Sequence, residues 1–280
     1  MSTPPAVKNQ PLRVGVVAFL NMEPLVAGLD RLDPARIEVV GAAPSRLADE
    51  LEAGRIDVGM VPVAALFDHP EWRVAGRSMI GAEGPVLSVL VGGPDPIESW
   101  RALRPDPCSR TSNALARLLL PGVVGRELAA GAPLPEGWTP AAAGAPAAGD
   151  EPAGHVMIGS RALRWRRHFP VTLDLTELWG RATGLPFVCA LWCARPGVEL
   201  GDLAERLESL KRANMERIDE LAAGWPGLEH DRLTPGEAAH YLRHHLRYDF
   251  TNRHRVAVER FYAEGLAAGL FQPGWSFRAA

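Results

Sequence analysis

The stretch Phe187-Val-Cys-Ala-Leu-Trp-Cys-Ala194 is an unbroken apolar run that decides how the chain is organised. A run of this length, preceded by Pro186, predicts a strand that is buried on both faces. Strand and helix patterns alternate before it, whereas helical patterns alone follow from Leu203 to Leu270. We therefore interpret residues 187–194 as a crossover that returns the chain to a first lobe, against which the helical tail packs.

Shorter apolar runs upstream predict the other buried strands, and helical patterns lie between them. The predicted strands are Leu12–Ala18, Ile56–Val61, Val86–Val91 and Val156–Gly159. Helices are predicted at 44–53 and 114–120, ended by Gly54 and by Pro121-Gly122. Residues 121–154 are rich in Gly, Pro and Ala and predict a long surface loop with one short strand.

Alternating strands and helices are typical of parallel α/β sheets. We expect two lobes, with residues 1–92 forming the first part of lobe I, 93–188 forming lobe II and 189–280 returning to lobe I. Ligands of such sheets bind where the strands end, so the predicted binding site is a cleft between the lobes.

Composition and charge narrow the class of protein. The chain has 280 residues, of which 47% are hydrophobic, and a net charge of −3 with both signs interspersed. This pattern argues against a nucleic-acid partner. The apolar stretch Val14–Leu20 has the length of a strand, so we expect no signal peptide, no membrane partner and a cytoplasmic location. Cys108, Cys189 and Cys193 are predicted to be small core residues.

The segment Ser109-Arg110-Thr111-Ser112 precedes a predicted helix. A helix start offers unpaired backbone N–H groups and the positive end of the helix dipole, which suit a carboxylate or a phosphate. Arg110 would add a bidentate donor for the same anion. Ser and Thr are also ordinary N-cap residues, so a cap and an anion site are both open on these residues alone.

Two further polar residues are candidates for the cleft. Asn21 follows the first strand, where its amide would reach a substrate oxygen, or where it serves as a turn residue. Ser88 lies within the apolar run Val86–Val91, so its hydroxyl bonds to nearby backbone or faces a polar group. The residue types leave both pairs of alternatives open.

No motif indicates a cofactor or a metal. The chain has no Gly-rich phosphate loop, nucleotide fingerprint or nucleophile elbow. His240 and His244 are four residues apart, but no third ligand is suggested and both are predicted to lie on a helix surface. We therefore expect neither a cofactor nor a metal.

Seven short segments carry a resemblance to a known family. They are Arg13–Asn21 with Pro24-Leu25, Pro44-Ser45-x-Leu47-Ala48, Gly54-x-Ile56-Asp57, Gly84-Pro85-Val86-x-Ser88-Val89, Ser109–Ser112, Asp174-Leu175 with Trp179, and Thr183–Phe187. In this order and spacing they resemble chorismate dehydratase, the enzyme that opens the futalosine route to menaquinone. The resemblance runs from about residue 13 to residue 272.

The resemblance implies a two-lobed fold of the periplasmic-binding-protein type (type II), without metal or organic cofactor. It also implies the removal of water from chorismate to give 3-[(1-carboxyvinyl)oxy]benzoate. Asn21 and Ser88 fall on the family's positions associated with activity. Residues 109–112 fall on its anion-binding helix start, and Ser45 and Thr183 lie in matching segments and are further candidates for substrate binding.

Two departures and two alternatives accompany this hypothesis. Phe19 stands where the family commonly has Tyr, and residues 131–154 are unusually rich in Ala, Gly and Pro. A relative with the same fold, 1,4-dihydroxy-6-naphthoate synthase, is expected to have a Thr-rich helix start and a catalytic His, but His155 and His168 lie in no recognisable match. The other alternative is a non-catalytic cytosolic binder of a small carboxylate. The sequence favours the dehydratase.

Overall fold

The computed structural model describes residues 10–135 and 151–279 and shows an α/β fold with two sheets. The strands of this part of the chain are β1 (Leu12–Val16), β2 (Ile37–Gly41), β3 (Val58–Pro62), β4 (Arg73–Ala82), β5 (Val89–Gly93), β6 (Ala102–Arg104), β7 (Ala129–Ala130), β8 (Ala153–Ile158), β9 (Val171–Asp174), β10 (Phe187–Ala194) and β11 (Arg247–Asp249). The first sheet has the order β11-β4-β10-β3-β1-β2, and the second has the order β7-β6-β8-β5-β9.

Helices cover and connect the two sheets. They are α1 (Glu23–Val26), α2 (Leu29–Leu32), α3 (Pro44–Glu52), α4 (Val63–Asp68), α5 (Arg110–Val124), α6 (Gly159–Trp165), α7 (Leu175–Thr183), α8 (Leu203–Glu216), α9 (Ile218–Ala223), α10 (Leu228–Asp231), α11 (Pro235–His240) and α12 (Asn252–Ala267). Short 3₁₀ turns occupy Leu20–Met22 and Ile97–Ser99, and a π-helical turn occupies Tyr241–His245. None of the described helices is both long and apolar enough to cross a bilayer.

The expectation of purely parallel sheets is wrong, because each sheet contains strands that run against the others. In the first sheet β10 is antiparallel to β3 and to β4, and in the second sheet β5 is antiparallel to β8 and to β9. Both β5 and β10 are the strands by which the chain arrives from the other lobe. When the chain crosses between the lobes at the cleft, the first strand after the crossing begins at the edge of the sheet that faces the cleft. This strand therefore runs away from the cleft, whereas the strands beside it run towards the cleft.

The chain passes from the first sheet to the second between β4 and β5, and the lobe division at residue 92 stays a prediction. The first sheet ends its fourth strand at Ala82, and β5 from Val89 onwards already belongs to the second sheet. The sequence predicts a continuous strand over Val86–Val91 because Leu87 is as apolar as its neighbours. In the structure Leu87 has a left-handed φ of +64°, so the chain turns there and the strand begins only afterwards. The return strand starts at Phe187, close to the division at 188/189.

Helix α5 is longer than predicted and runs through Pro121 to Val124. Proline removes one backbone donor and therefore one hydrogen bond of the helix, which nevertheless continues to Val124. Gly125 ends the helix with a φ of +77°, a conformation that glycine adopts without steric cost. The short strand predicted within 121–154 is β7, and residues 136–150 of that segment lie outside the described residues.

An ion-pair cluster ties the return strand to the centre of the first sheet. Asp57 precedes β3, and its carboxylate accepts hydrogen bonds from Arg13 of β1 and from Arg195 at the end of β10. Burial by itself raises the pKa of Asp57, but the hydrogen bonds from the two arginines outweigh burial and lower the pKa to about 2. The carboxylate is therefore ionised at neutral pH and stabilises the contact between three strands.

Candidate functional site

A cleft that opens to solvent lies where strands of both sheets end. Residues after β1, at the ends of β3, β4 and β8, and at the starts of β5, β10 and α5 line it together, as the crossing geometry requires. The lining residues are Val17, Phe19, Asn21, Met22, Pro44, Met60, Pro62, Ile80, Val86, Ser88, Val89, Ser109, Thr111, Ser112, Ile158, Gly159, Cys189 and Ala190. The cleft is therefore mostly apolar, with a few polar groups supplied by different segments.

Asn21 lies in the 3₁₀ turn that follows β1 and lines the cleft, as the sequence predicted. Its amide oxygen is buried and has no hydrogen-bond partner among the described residues. A buried polar atom without a partner costs free energy, and Trp192 Nε1 and the Tyr248 hydroxyl are in the same condition outside the cleft. A ligand group bonded to Asn21 therefore stays a prediction, as does a simple turn role.

Ser88 also lines the cleft, but it lies just before β5 rather than inside a strand. Its backbone is fixed by two contacts with the second lobe. The Ser88 carbonyl accepts from the amide of Gly159 at 2.9 Å, and the preceding amide of Leu87 donates to Asp174 Oδ2 at 2.7 Å. These contacts hold the left-handed backbone at Leu87 and fix the backbone from which the Ser88 side chain projects.

Asp174 is the residue that organises this corner of the cleft. Oδ2 accepts from the amides of Val86 and Leu87, while Oδ1 accepts from the amides of Thr176 and Glu177 and caps α7. Burial raises the pKa of Asp174, and the hydrogen bonds oppose that effect. One carboxylate therefore joins the start of α7 to the crossing that carries Ser88.

Tyr241 is a residue of this site that the sequence did not indicate. Its hydroxyl donates to Ser88 Oγ at 2.7 Å, and both side chains are buried. The two residues are separated by 153 positions, and no local pattern around Tyr241 marks it as polar in function. The structure adds one local feature: Tyr241 begins a π-helical turn, and such turns are often found at functional sites.

The start of α5 is both a helix cap and part of the cleft. Ser109 caps the helix by accepting from the amide of Ser112 at 3.0 Å. Thr111 Oγ1 accepts from the amide of Ala64 at 3.1 Å and lies 3.4 Å from the carbonyl of Cys189, so it links both lobes. Among the described residues no acceptor is found for the amides of Arg110 and Thr111, the usual condition of a helix start.

Three predicted binding residues do not line the cleft. The guanidinium of Arg110 pairs with Asp49 of α3 instead of facing the pocket. Ser45 is the second residue of α3, of which only Pro44 reaches the cleft. Thr183 donates to the carbonyl of Trp179 at 2.8 Å and so completes the end of α7. A role in substrate binding for these three residues stays a prediction.

Cys189 is the one ionisable side chain among the described residues that line the cleft. Burial raises the pKa of its thiol to about 12, so the thiol keeps its proton at neutral pH. Cys193 is fully buried as predicted, whereas Cys189 and Cys108 are partly exposed. Within the described residues no group of three or more His, Cys, Asp or Glu side chains is arranged to hold a metal ion.

Comparison with known families places the chain among the proteins of one pathway. A family model described as menaquinone biosynthesis matches residues 12–266, which include both sheets and every residue of the cleft. The chain belongs to this menaquinone biosynthesis family. The family resemblance carried by the seven sequence segments is thereby confirmed at the level of the pathway.

Solved structures show the fold of this menaquinone biosynthesis protein. A protein from Archaeoglobus fulgidus is similar with a TM-score of 0.70 and 16% identity, over 95% of this chain and 100% of that chain. The periplasmic aliphatic sulphonate binding protein of Escherichia coli is similar with a TM-score of 0.62 and 15% identity, over 95% of this chain and 94% of that chain. An ABC transporter from Parabacteroides distasonis is similar with a TM-score of 0.62 and 18% identity, over 97% of this chain and 99% of that chain. The predicted two-lobed periplasmic-binding-protein-like fold is confirmed.

Proposed function

We propose that the protein removes water from chorismate to give 3-[(1-carboxyvinyl)oxy]benzoate, as a cytoplasmic step of menaquinone biosynthesis. The observation that carries this proposal is the convergence of Asn21, Ser88 and the start of α5 on one cleft. The family match supplies the pathway. The sequence resemblance supplies the reaction within it.

The reaction is an elimination that balances without a cofactor. A ring C–H bond beside the enolpyruvyl ether breaks, and its electron pair forms the new ring double bond. The neighbouring C–O bond breaks, and the hydroxyl leaves with the released proton as water. Since the ring becomes aromatic, the protein has mainly to orient the reacting groups and to stabilise developing charge.

A carboxylate of chorismate itself is the proton acceptor in this proposal. The described residues that line the cleft include no carboxylate, imidazole or amine, and the Cys189 thiol keeps its proton. A general base must lie within hydrogen-bond reach of the proton that it removes. The substrate's own carboxylate meets this condition and needs only to be held in the right orientation.

The start of α5 is the group that holds a substrate carboxylate. The unpaired amides of Arg110 and Thr111 and the positive end of a 15-residue helix favour an anion there. This assignment replaces the predicted guanidinium of Arg110, which is paired with Asp49. Ser112 lines the same end of the cleft.

Asn21 and Ser88 act on the departing hydroxyl. The unsatisfied amide oxygen of Asn21 accepts a hydrogen bond from the substrate, and the Ser88 hydroxyl donates one. The Asn21 acceptor and the Ser88 donor are held in place before the substrate binds. Such preorganisation is what allows polar groups to stabilise a transition state. Removing one such group typically costs about 10²–10³ in rate.

The structure offers less support for the naphthoate synthase alternative. His155 lies buried in β8, where its Nδ1 contacts the carbonyl of Gly92 at 3.2 Å, and burial lowers its pKa. His168 belongs to a different pocket, which is lined mainly by arginines. Neither imidazole lines the cleft.

The decisive experiment is incubation of the purified protein with chorismate, followed by mass spectrometry. Loss of one water from chorismate is the expected result. Binding of chorismate without conversion would support the non-catalytic binder, and conversion of cyclic dehypoxanthinylfutalosine would support the naphthoate synthase. Either of these results would overturn the proposal.

Substitutions in the cleft test the residue roles. Ser88→Ala and Asn21→Ala should each lower turnover of chorismate by about 10²–10³. Ser209→Ala is the matched control, because Ser209 lies on the exposed side of α8 and donates only to the carbonyl of Glu205. Full turnover in both cleft variants would contradict the assignment.

A further inference from the structure

We infer that Tyr241 is a positioning residue of the cleft, which holds the Ser88 hydroxyl so that its proton points at the bound substrate. This inference rests on the proposed function, because it assigns Ser88 the donation of a hydrogen bond to the departing hydroxyl. The observations that carry it are the contacts of Tyr241 with Ser88 and of its helical turn with the crossing segment before β5.

The direction of the hydrogen bond follows from the chemistry of the two hydroxyl groups. Tyr241 is 2% exposed, and Ser88 Oγ is the hydrogen-bond partner of its hydroxyl at 2.7 Å within the described residues. Burial raises the pKa of Tyr241, so the phenol keeps its proton at neutral pH. A phenol is a stronger donor and a weaker acceptor than an aliphatic hydroxyl, so Tyr241 is the donor and Ser88 Oγ the acceptor.

This direction determines what the Ser88 proton does. A serine hydroxyl has a single proton and two lone pairs, and one lone pair is filled by Tyr241. The Ser88 backbone is already fixed by Gly159 and, through Leu87, by Asp174. The side chain borders the cleft, so its remaining proton is directed at whatever fills the cleft.

A second contact shows that Tyr241 is held in this place. Tyr241 begins the π-helical turn Tyr241–His245, and at the other end of this turn His245 Nδ1 lies 2.8 Å from the carbonyl of Pro85. The turn thus touches the crossing segment on both sides of Leu87. The crossing segment joins the two lobes. The turn Tyr241–His245, in the C-terminal part of the chain, therefore sets the orientation of Ser88, which lies where the chain enters lobe II.

The test compares two buried tyrosines with the same chemical change. Tyr241→Phe removes the hydroxyl that contacts Ser88, whereas Tyr248→Phe removes a buried hydroxyl for which the described residues offer no partner. We expect Tyr241→Phe to lower kcat for chorismate by about tenfold with little change in KM. Tyr248→Phe should leave both constants unchanged.

A double-mutant cycle separates positioning from a general structural effect. If Tyr241 acts through Ser88, Tyr241→Phe causes no further loss of kcat in the Ser88→Ala background. Equal behaviour of the two tyrosine variants, or the same loss with and without Ser88, would overturn the inference while leaving the proposed function intact. A wild-type protein that does not dehydrate chorismate would overturn both, so the two failures are distinguishable. The melting temperature of each variant, measured in parallel, identifies any variant that fails to fold.

Discussion

Asn21 holds a buried amide oxygen that the described part of the protein leaves without a partner. In the absence of ligand this atom costs stability, since its hydrogen bonds to water are lost and not replaced. Sites that are built for a ligand commonly keep such costs, because activity and stability make different demands. A substitution at Asn21 should therefore change stability and activity in opposite directions.

Asn21→Leu should stabilise the free protein and inactivate it. Leucine has a similar size and carries no polar atom, so the free energy of unfolding should rise by about 1 kcal/mol. Turnover of chorismate should fall by about 10²–10³. Denaturant unfolding and the mass-spectrometric assay measure the two effects on the same preparation.

The matched control is Asn113→Leu, because Asn113 makes two hydrogen bonds with the backbone of Asp106. The same chemical change should there lower the free energy of unfolding. A loss of stability at Asn21 as large as that at Asn113 would show that the Asn21 amide is satisfied in the free protein.

At this scale the sequence predicted those residues that lie next to strand ends. Asn21 and Ser88 were identifiable because polar residues beside buried strands are conspicuous and match a family pattern. The role of Arg110 stays a prediction, and the sequence does not reveal that Asp49 of another helix pairs with it. Tyr241 was missed because its partner is distant in the chain.

The strands of the first sheet depend on the carboxylate of Asp57, which contacts Arg13 and Arg195. Its pKa is lowered from 3.8 to about 2, so the folded state binds the proton less tightly than the unfolded state. The contribution to stability is therefore complete above about pH 5 and is lost as the pH falls from about 4 to about 2. Its size at neutral pH is about 2 kcal/mol.

Asp57→Asn should therefore lower the free energy of unfolding by about 2 kcal/mol at pH 7. The difference from the wild type should shrink below about pH 4 and vanish near pH 2, because the wild-type carboxyl is then protonated. Urea unfolding across this range measures the difference, with Asp68→Asn at an exposed position as the control. A difference that is independent of pH would contradict the ion-pair account.

Two glycines near the end of α5 differ in backbone conformation: Gly122 lies in its last turn and Gly125 directly after it. Gly122 lies within the helix, is exposed and has open space around an added Cβ, whereas Gly125 ends the helix with a φ of +77°. Gly122→Ala should raise the free energy of unfolding by about 0.5–1 kcal/mol. Gly125→Ala should lower it by about 1–2 kcal/mol, because an alanine is strained at this φ.

Urea titrations of the two variants provide the measurement, and each serves as the control for the other. Destabilisation by Gly122→Ala, with little effect of Gly125→Ala, would show that the helix ends at Pro121-Gly122, as the sequence predicted. The pattern of Gly and Pro could not settle this point, because Pro121 ends a helix in most settings but lies inside α5 here.

The direction of strands was likewise beyond the sequence pattern. An apolar run such as Phe187–Ala194 predicts burial on both faces but carries no information about strand direction. Direction follows from the place where the chain crosses between lobes, which is a property of the whole topology. The run itself and most of its burial were predictable, because eight apolar residues after Pro186 favour a strand in the middle of a sheet.

On the scale of the whole molecule, Phe261 of the C-terminal helix α12 contacts elements of both lobes. Phe261 is 1% exposed, and its ring lies 5.7 Å from that of Phe67 in α4 of the first lobe. It also lies 5.9 Å from the ring of Trp179 in α7, the helix that follows the last strand of the second sheet. Phe187, at the start of the return strand, completes the contact at 5.2 Å.

Phe261→Ala should destabilise both lobes together, since the cavity that it leaves would border elements of each. The expected loss in the free energy of unfolding is about 3–5 kcal/mol. Hydrogen exchange of the amides in β5 and β10 measures the two sheets separately, and protection should fall by the same factor in both. Phe277→Ala is the control, because Phe277 is only partly buried and stacks on Phe250 at 5.5 Å, away from the junction. If protection fell in one sheet alone, the lobes would be independent folding units and the cleft between them would not depend on α12.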